Sequence, residues 1–271
     1  MEKVVLITGA SAGIGKETAK LLAENGFVVY GAARRVEKME ELKSAGVRLL
    51  AMDVTNENSM VKGVQEILNT EKRIDILINN AGYGSYGALE DVPLSEARYQ
   101  FEVNVFGLAR LCQLVIPTMR AQHSGTIINI SSIGGSLGEP HGSWYHATKF
   151  AVEGLSDSLR MELKQFGINV VVIKPGAIIT EWNTIAREHM MKVSGNTVYG
   201  DLVKKHVKMF EKADNKIGSQ PIVIAKVILK AALSEKPKTR YAAGAGAKPI
   251  LFLKSILSDR MFDRLLLSQM N

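Results

Sequence analysis

Along the 271 residues, short runs of apolar and β-branched positions alternate with longer segments whose apolar residues recur every three or four places. The short runs at 4–7, 27–31, 47–51, 74–79, 126–130 and 169–174 predict six strands. Helix-length segments open near Gly13, Arg35, Asn56, Ser95 and Trp144. Several strand runs are nearly all apolar, as expected when both faces of a strand are covered. The alternation therefore predicts an α/β fold: a doubly wound parallel sheet with helices on both faces and a ligand crevice at the carboxyl ends of its strands.

The pattern changes after Pro175. Residues 180–220 are polar and irregularly helical, 221–233 predict a helix, and 239–243 a last short strand. From 249 to 270 apolar residues such as Ile250, Leu253, Leu257, Phe262 and Leu266 recur at helical spacing. Lys254, Asp259, Arg260, Asp263 and Arg264 interrupt them, leaving no apolar run of about 18 residues, so this tail predicts one or two amphipathic helices and not a transmembrane span. With no linker, repeat or low-complexity tract, the chain reads as one domain over 1–271. A cofactor-binding and catalytic core covers 1–180, and a substrate-binding, helical segment covers 181–271.

A hydrophobic content of 46% is ample for a buried core, which excludes a disordered chain. The first apolar run is too short for a signal peptide, and Cys112 is the only cysteine, so a reducing, cytoplasmic setting is expected. No Cys/His cluster has ligand spacing, and no metal is expected. The formal charge of +7 is scattered without a dense basic block, which argues against a nucleic-acid partner. It leaves room for a phosphorylated cofactor or for weak contact with an acidic membrane surface.

The first strand runs into Thr8-Gly9-Ala10-Ser11-Ala12-Gly13-Ile14-Gly15, with a helix opening inside the glycine run. Glycines allow close backbone approach, and a helix N-terminus offers free N–H groups and a positive dipole to a pyrophosphate. Farther on, Tyr145 and Lys149 stand one helical turn apart, on the same face of a helix. An ammonium beside a phenol favours phenolate and should lower the tyrosine pKa toward working pH, making Tyr145 a usable proton donor and acceptor. Taken alone, such a pair is more often a half-buried tyrosine and a solvated lysine.

The glycine run, Asn79-Asn80-Ala81-Gly82, Ser132, Tyr145-His146-Ala147-Thr148-Lys149 and Pro175-Gly176, in this order, resemble the short-chain dehydrogenase/reductase family from residue 3 to about 180. The long C-terminal segment is similar to that of its hydroxysteroid, retinoid and acyl-dihydroxyacetone-phosphate reductases. The resemblance implies a catalytic set of Asn104, Ser132, Tyr145 and Lys149. Ser132 would bond the substrate oxygen, with Ser131 as competitor, and Asn104 would hold the lysine through a water. It also implies that Gly9, Ser11, Gly13, Ile14 and Gly15 cradle the cofactor, that Asp53 and Val54 meet its adenine, and that Asn80, Ala81 and Gly82 line the adenosine ribose side. Pro175, Gly176 and Thr180 would bind the carboxamide, and Tyr145 and Lys149 the nicotinamide ribose. A homo-oligomer, dimer or tetramer, is implied as well.

The second strand ends Gly31-Ala32-Ala33-Arg34-Arg35, so the position that is acidic in NAD-dependent relatives is Ala33 and two arginines follow. A guanidinium grips a 2′-phosphate and no carboxylate repels it, which predicts NADP(H), held by Arg34 and Arg35. Many NADP users also carry a basic residue where this chain has Ala12. The resulting expectation is an NADP-dependent oxidoreductase interconverting carbonyl and alcohol on an apolar ketone or aldehyde. Its pocket would be lined by the loop 84–91, by Ile178, Ile179, Trp182, Met190, Met191 and Val193, and by the tail. The rival readings are a catalytically silent NADP-binding regulator, a membrane-surface protein acting through its tail, and an epimerase or dehydratase on the same scaffold.

Overall fold

The computed structural model describes residues 2–212 and 216–270. Seven strands, β1 (Val4–Thr8), β2 (Val28–Ala33), β3 (Arg48–Ala51), β4 (Ile76–Asn79), β5 (Gly125–Ile130), β6 (Ile168–Pro175) and β7 (Arg240–Ala243), form one sheet in the order β3-β2-β1-β4-β5-β6-β7. Every neighbouring pair is parallel. Alternation along the strands sorts side chains into two cores. Val4 and Leu6 of β1 join Leu77 and Ile127 on one face, whereas Val5 and Ile7 join Ile76, Ile78, Ile128 and Ile130 on the other. Both faces are dry because α2 (Glu57–Glu71), α4 (Gly107–Ala121) and α5 (Ser143–Leu163) cover the first, and α1 (Gly13–Glu24) and α8 (Ile222–Leu233) the second.

The strand order reverses at β1, whose neighbours are β2 and β4. Successive crossovers leave to opposite sides there, and a crevice opens beyond the carboxyl ends of the strands. Between β2 and β3 the expected helix is instead a 3₁₀ segment, Val36–Ala45, with only Met39 and Leu42 fully buried. It packs too little apolar surface to hold a full α-helical ladder. The helix expected near Ser95 is continuous through α3 (Leu94–Phe101), a π-turn at Glu102–Phe106 and α4.

The segment read as irregularly helical contains two regular helices, α6 (Glu181–Ser194) and α7 (Gly200–Lys212). Their buried residues, Ala186, Met190 and Val203, make a third small core with Tyr86. The tail forms α9 (Ala247–Ile256) and α10 (Asp259–Ser268), broken at Leu257 and Ser258 and tied across the break by Lys254 and Asp259 at 2.6 Å. No helix among the described residues is long and apolar enough to cross a membrane.

Candidate active site

A cavity of about 760 Å³ lies over the carboxyl ends of the strands. At its centre is the turn from β1 into α1. Gly9 and Gly13 have φ of +68° and +52°, the left-handed region that favours glycine. A Cβ on Gly9 would come within 2.9 Å of the Ala81 Cα and the Asn80 amide, so only glycine lets the turn lie against the end of β4. That approach is locked by Thr8 and Asn80: the Ala81 N–H donates to Thr8 Oγ1 at 3.0 Å, and the Asn80 amide to the Thr8 carbonyl at 2.9 Å. Ala12 caps α1 without any side-chain hydrogen bond, and the first turn has no acidic residue. The first N–H groups of α1 are left to an anion, so the cradle fits a dinucleotide pyrophosphate.

Gly9, Ser11, Gly13, Ile14, Arg34, Arg35, Asp53, Val54, Asn80, Ala81, Gly82, Pro175, Gly176 and Thr180 all face this cavity. Gly15 does not. It lies beneath the turn, where a Cβ would collide with the Gly9 carbonyl and the Asn80 amide, so it serves helix-to-strand packing. Arg34 is exposed at the cavity wall, its Nη1 donating to the Tyr99 hydroxyl at 2.8 Å. Arg35 stands 3.9 Å from the Glu181 carboxylate. Ala33 is buried and adds no charge at the end of β2.

At the other end of the cavity are Ser132, Tyr145 and Lys149. Ser132 follows β5 and caps a short 3₁₀ turn, its Oγ accepting from the Gly134 N–H at 3.0 Å. Ser131 also reaches the cavity, but its buried hydroxyl has no partner among the described residues. Tyr145 and Lys149 share one face of α5, with the Lys149 ammonium 5.8 Å from the tyrosine ring centre and donating to the Ile130 carbonyl at 2.9 Å. Burial pushes Lys149 down to about 8, opposed by Glu153 one turn further along α5. Burial also pushes the Tyr145 phenol up to about 12, against the hydrogen bond from Ser132 and with the help of Glu139. The expected lowering of the phenol toward working pH is therefore corrected: burial raises it instead.

Asn104 lies within the π-turn, away from the cavity surface. Its carbonyl accepts from the Tyr83 N–H at 3.0 Å, and its amide donates to the Tyr83 carbonyl at 2.9 Å and to Thr148 at 3.1 Å. It thereby ties the loop following β4 to α5, beside Lys149.

The remaining wall is apolar and aromatic. Ile178 and Trp182 reach it as expected, and so do Ile250 and Leu266 of the tail. Ile179, Met190, Met191 and Val193 do not: Met190 is consumed by the small core around Tyr86, and Met191 is on the outer side. Sequence reasoning passed over Tyr86, Glu139, His146, Met209 and Phe210, which line the same end. Tyr86 falls inside the loop already singled out, and Val203, Val207 and Phe210 recur at helical spacing along α7, a stripe that marks Phe210 as inward-facing but leaves Met209 off it. Glu139, six residues before Tyr145, is marked only as an acidic residue in an otherwise glycine-rich stretch.

The arrangement can hold a dinucleotide along the strand ends and offer a proton at its inner end. Comparison with known proteins agrees with that chemistry. The family model described as short chain dehydrogenase matches residues 3–191. A 3-ketodihydrosphingosine reductase of Bacteroides thetaiotaomicron is 39% identical over 254 residues, spanning 93% of this chain and 91% of its own. A short-chain dehydrogenase from Streptomyces avermitilis superposes with a TM-score of 0.82 at 33% identity, covering 94% of this chain and 93% of its own. A metagenomic short-chain oxidoreductase in complex with NADP gives 0.70 at 27%, covering 88% and 95%. With the motifs, the sheet order and these likenesses in agreement, the chain belongs to the short-chain dehydrogenase family of oxidoreductases.

Proposed function

We propose that this chain is an NADP(H)-dependent reductase of an apolar, lipid-like ketone or aldehyde. One observation carries the reading: a single cavity runs from Arg34, past Ser132, Tyr145 and Lys149, to a wall built from Trp182, Met209, Phe210, Ile217, Ile250 and Leu266. Arg34 would hold the 2′-phosphate where NAD users need a carboxylate, and Ala33 supplies none. The bound nicotinamide supplies the hydride. Ser132 and Tyr145 hold the substrate oxygen, and Tyr145 delivers the proton to it. A phenol held near 12 is fully protonated at neutral pH, which is the form that reduction needs. Lys149, charged below about 8, sits where it stabilises the phenolate left behind. Asn104 positions α5 and Lys149. The relative named 3-ketodihydrosphingosine reductase supports a lipid-like ketone as substrate.

The exposed Phe252, Ile256 and Met261 on the tail favour one addition, a weak peripheral contact with the lipid phase from which such a substrate is drawn. The test is cofactor oxidation with unbranched ketones of increasing chain length, each with NADPH and NADH. The reading expects kcat/KM to rise with chain length and NADPH to be preferred. Inactivity with every ketone would overturn it and favour a silent dinucleotide-binding protein.

A further inference from the structure

The two arginines that follow β2 are held in different ways. Arg35 faces a carboxylate, Glu181, at 3.9 Å. Arg34 forms no ion pair among the described residues; its Nη1 donates at 2.8 Å to the hydroxyl of Tyr99, on α3 and 65 positions away in sequence. Glu96, the acid in the first turn of α3, lies instead 3.8 Å from His189. The difference decides what each guanidinium can offer an anion. A carboxylate neighbour cancels part of the charge that a phosphate would meet, whereas a phenol oxygen is uncharged and leaves it whole. One N–H of Arg34 goes to Tyr99, and the others remain for a ligand.

Tyr99 is itself fixed. Its ring packs on that of Tyr83, 5.7 Å between centres and 49° between planes, and Tyr83 is tied through its backbone N–H and carbonyl to Asn104. Arg34, Tyr83 and Tyr99 all line the cavity, together with Asp53 and Val54. Burial raises the Tyr83 phenol above its ordinary range, Glu96 and Tyr99 add to that, and Arg34 opposes them, so the guanidinium charge reaches the ring pair at the cavity wall. An exposed arginine without such a tether spreads over many rotamers, and ordering it when a ligand arrives costs affinity.

We infer that Tyr99 is a positioning residue for cofactor choice: its hydroxyl holds the Arg34 guanidinium at the cavity wall without neutralising it, and thereby strengthens the preference for a 2′-phosphorylated dinucleotide. The inference rests on the NADP(H) reading and adds to it a determinant on α3, outside the strand end where the choice is otherwise made. The tether acts through Arg34 alone, so it should matter for a dinucleotide bearing the 2′-phosphate and not for one lacking it.

The test is fluorescence titration of NADPH and of NADH on the full chain as wild type, Tyr99→Phe, Arg34→Ala and the double variant. Tyr99→Phe keeps the ring against Tyr83 and removes only the acceptor oxygen. It should weaken NADPH about three- to tenfold, the size of one hydrogen bond, and leave NADH within about twofold, which also shows that the variant is folded. In the Arg34→Ala background the same change should have no further effect on NADPH, because the hydroxyl has lost the group through which it acts. A merely structural role for Tyr99 would weaken both dinucleotides alike, or add its loss to that of Arg34→Ala, and either result overturns the inference. NADPH bound by Tyr99→Phe as tightly as by wild type overturns it too, while leaving the NADP(H) reading intact. A wild type that does not prefer NADPH contradicts that reading itself, and the inference falls with it.

Discussion

Tyr145 and Lys149 are driven in opposite directions by the same cause. Burial holds the phenol near 12 and the amine near 8, so one keeps its proton at neutral pH while the other surrenders part of its preference for one. Tyr145→Phe keeps the ring packing against Trp182 and removes only the transferable proton, so turnover should fall at least about tenfold, a barrier change above ~1.4 kcal/mol, with NADPH binding retained. Fluorescence titration of NADPH alongside the rate separates the two effects, and a variant keeping most of its rate would remove Tyr145 from the chemistry. Lys149 carries a stability cost as well. Its pKa is lower in the folded chain than in the unfolded one, so below about pH 8 folding must accept a buried charge, and the penalty vanishes as pH rises toward 10.5. The shift amounts to about 3 kcal/mol, against about 1 kcal/mol for the bond to Ile130. Lys149→Met should therefore melt higher than wild type at pH 7, with the gap closing by pH 10, although inactive; a lower melting temperature at pH 7 would show that the lysine is not strained. At the other end of the site, Arg34→Ala should weaken NADPH by about 1–3 kcal/mol and NADH little. Equal losses in a binding titration would mean that the 2′-phosphate is read elsewhere.

Among the elements, the turn from β1 into α1 and the tail differ most in how openly the sequence declares them. The turn is legible because its glycines answer a local demand: positive φ at Gly9 and Gly13, and an approach to Asn80 and Ala81 that no side chain permits. Gly15 obeys the same motif for another reason, packing, which spacing alone does not reveal. The tail showed helical periodicity but not its partner, since an amphipathic stripe says only that something apolar lies against it. The structure turns Ile250 and Leu266 toward the cavity and leaves Phe252, Ile256 and Met261 outside. Ile250→Ser with Leu266→Ser should then raise KM for long-chain ketones by on the order of tenfold, since each substrate methylene left without an apolar wall costs about 0.8 kcal/mol, while short ketones and NADPH are little affected. Kinetics over a chain-length series checks this. Equal effects on short and long ketones would detach the tail from the pocket.

At the level of the whole molecule, the doubly wound sheet could be read in advance because parallel strands buried on both faces leave continuous apolar runs, as in β4, β5 and β6. The position of the dinucleotide crevice follows from strand order and needs no further information. What stayed hidden depends on the packing of distant parts of the chain against one another: the 3₁₀ segment replacing a helix at Val36–Ala45, the core that takes Met190 away from the pocket, and the meeting of Tyr86, Glu139, His206 and Phe210. No periodicity records that residues 86, 139 and 206 converge. Hydride delivery from NADPH to a long-chain ketone beside Tyr145 can be followed by mass analysis of the product formed from NADPH deuterated at the transferred position of its nicotinamide. Wild type should form an alcohol with one deuterium on the carbinol carbon, and Tyr145→Phe should form little or none. An unlabelled alcohol, or no alcohol from any long-chain ketone, would contradict it.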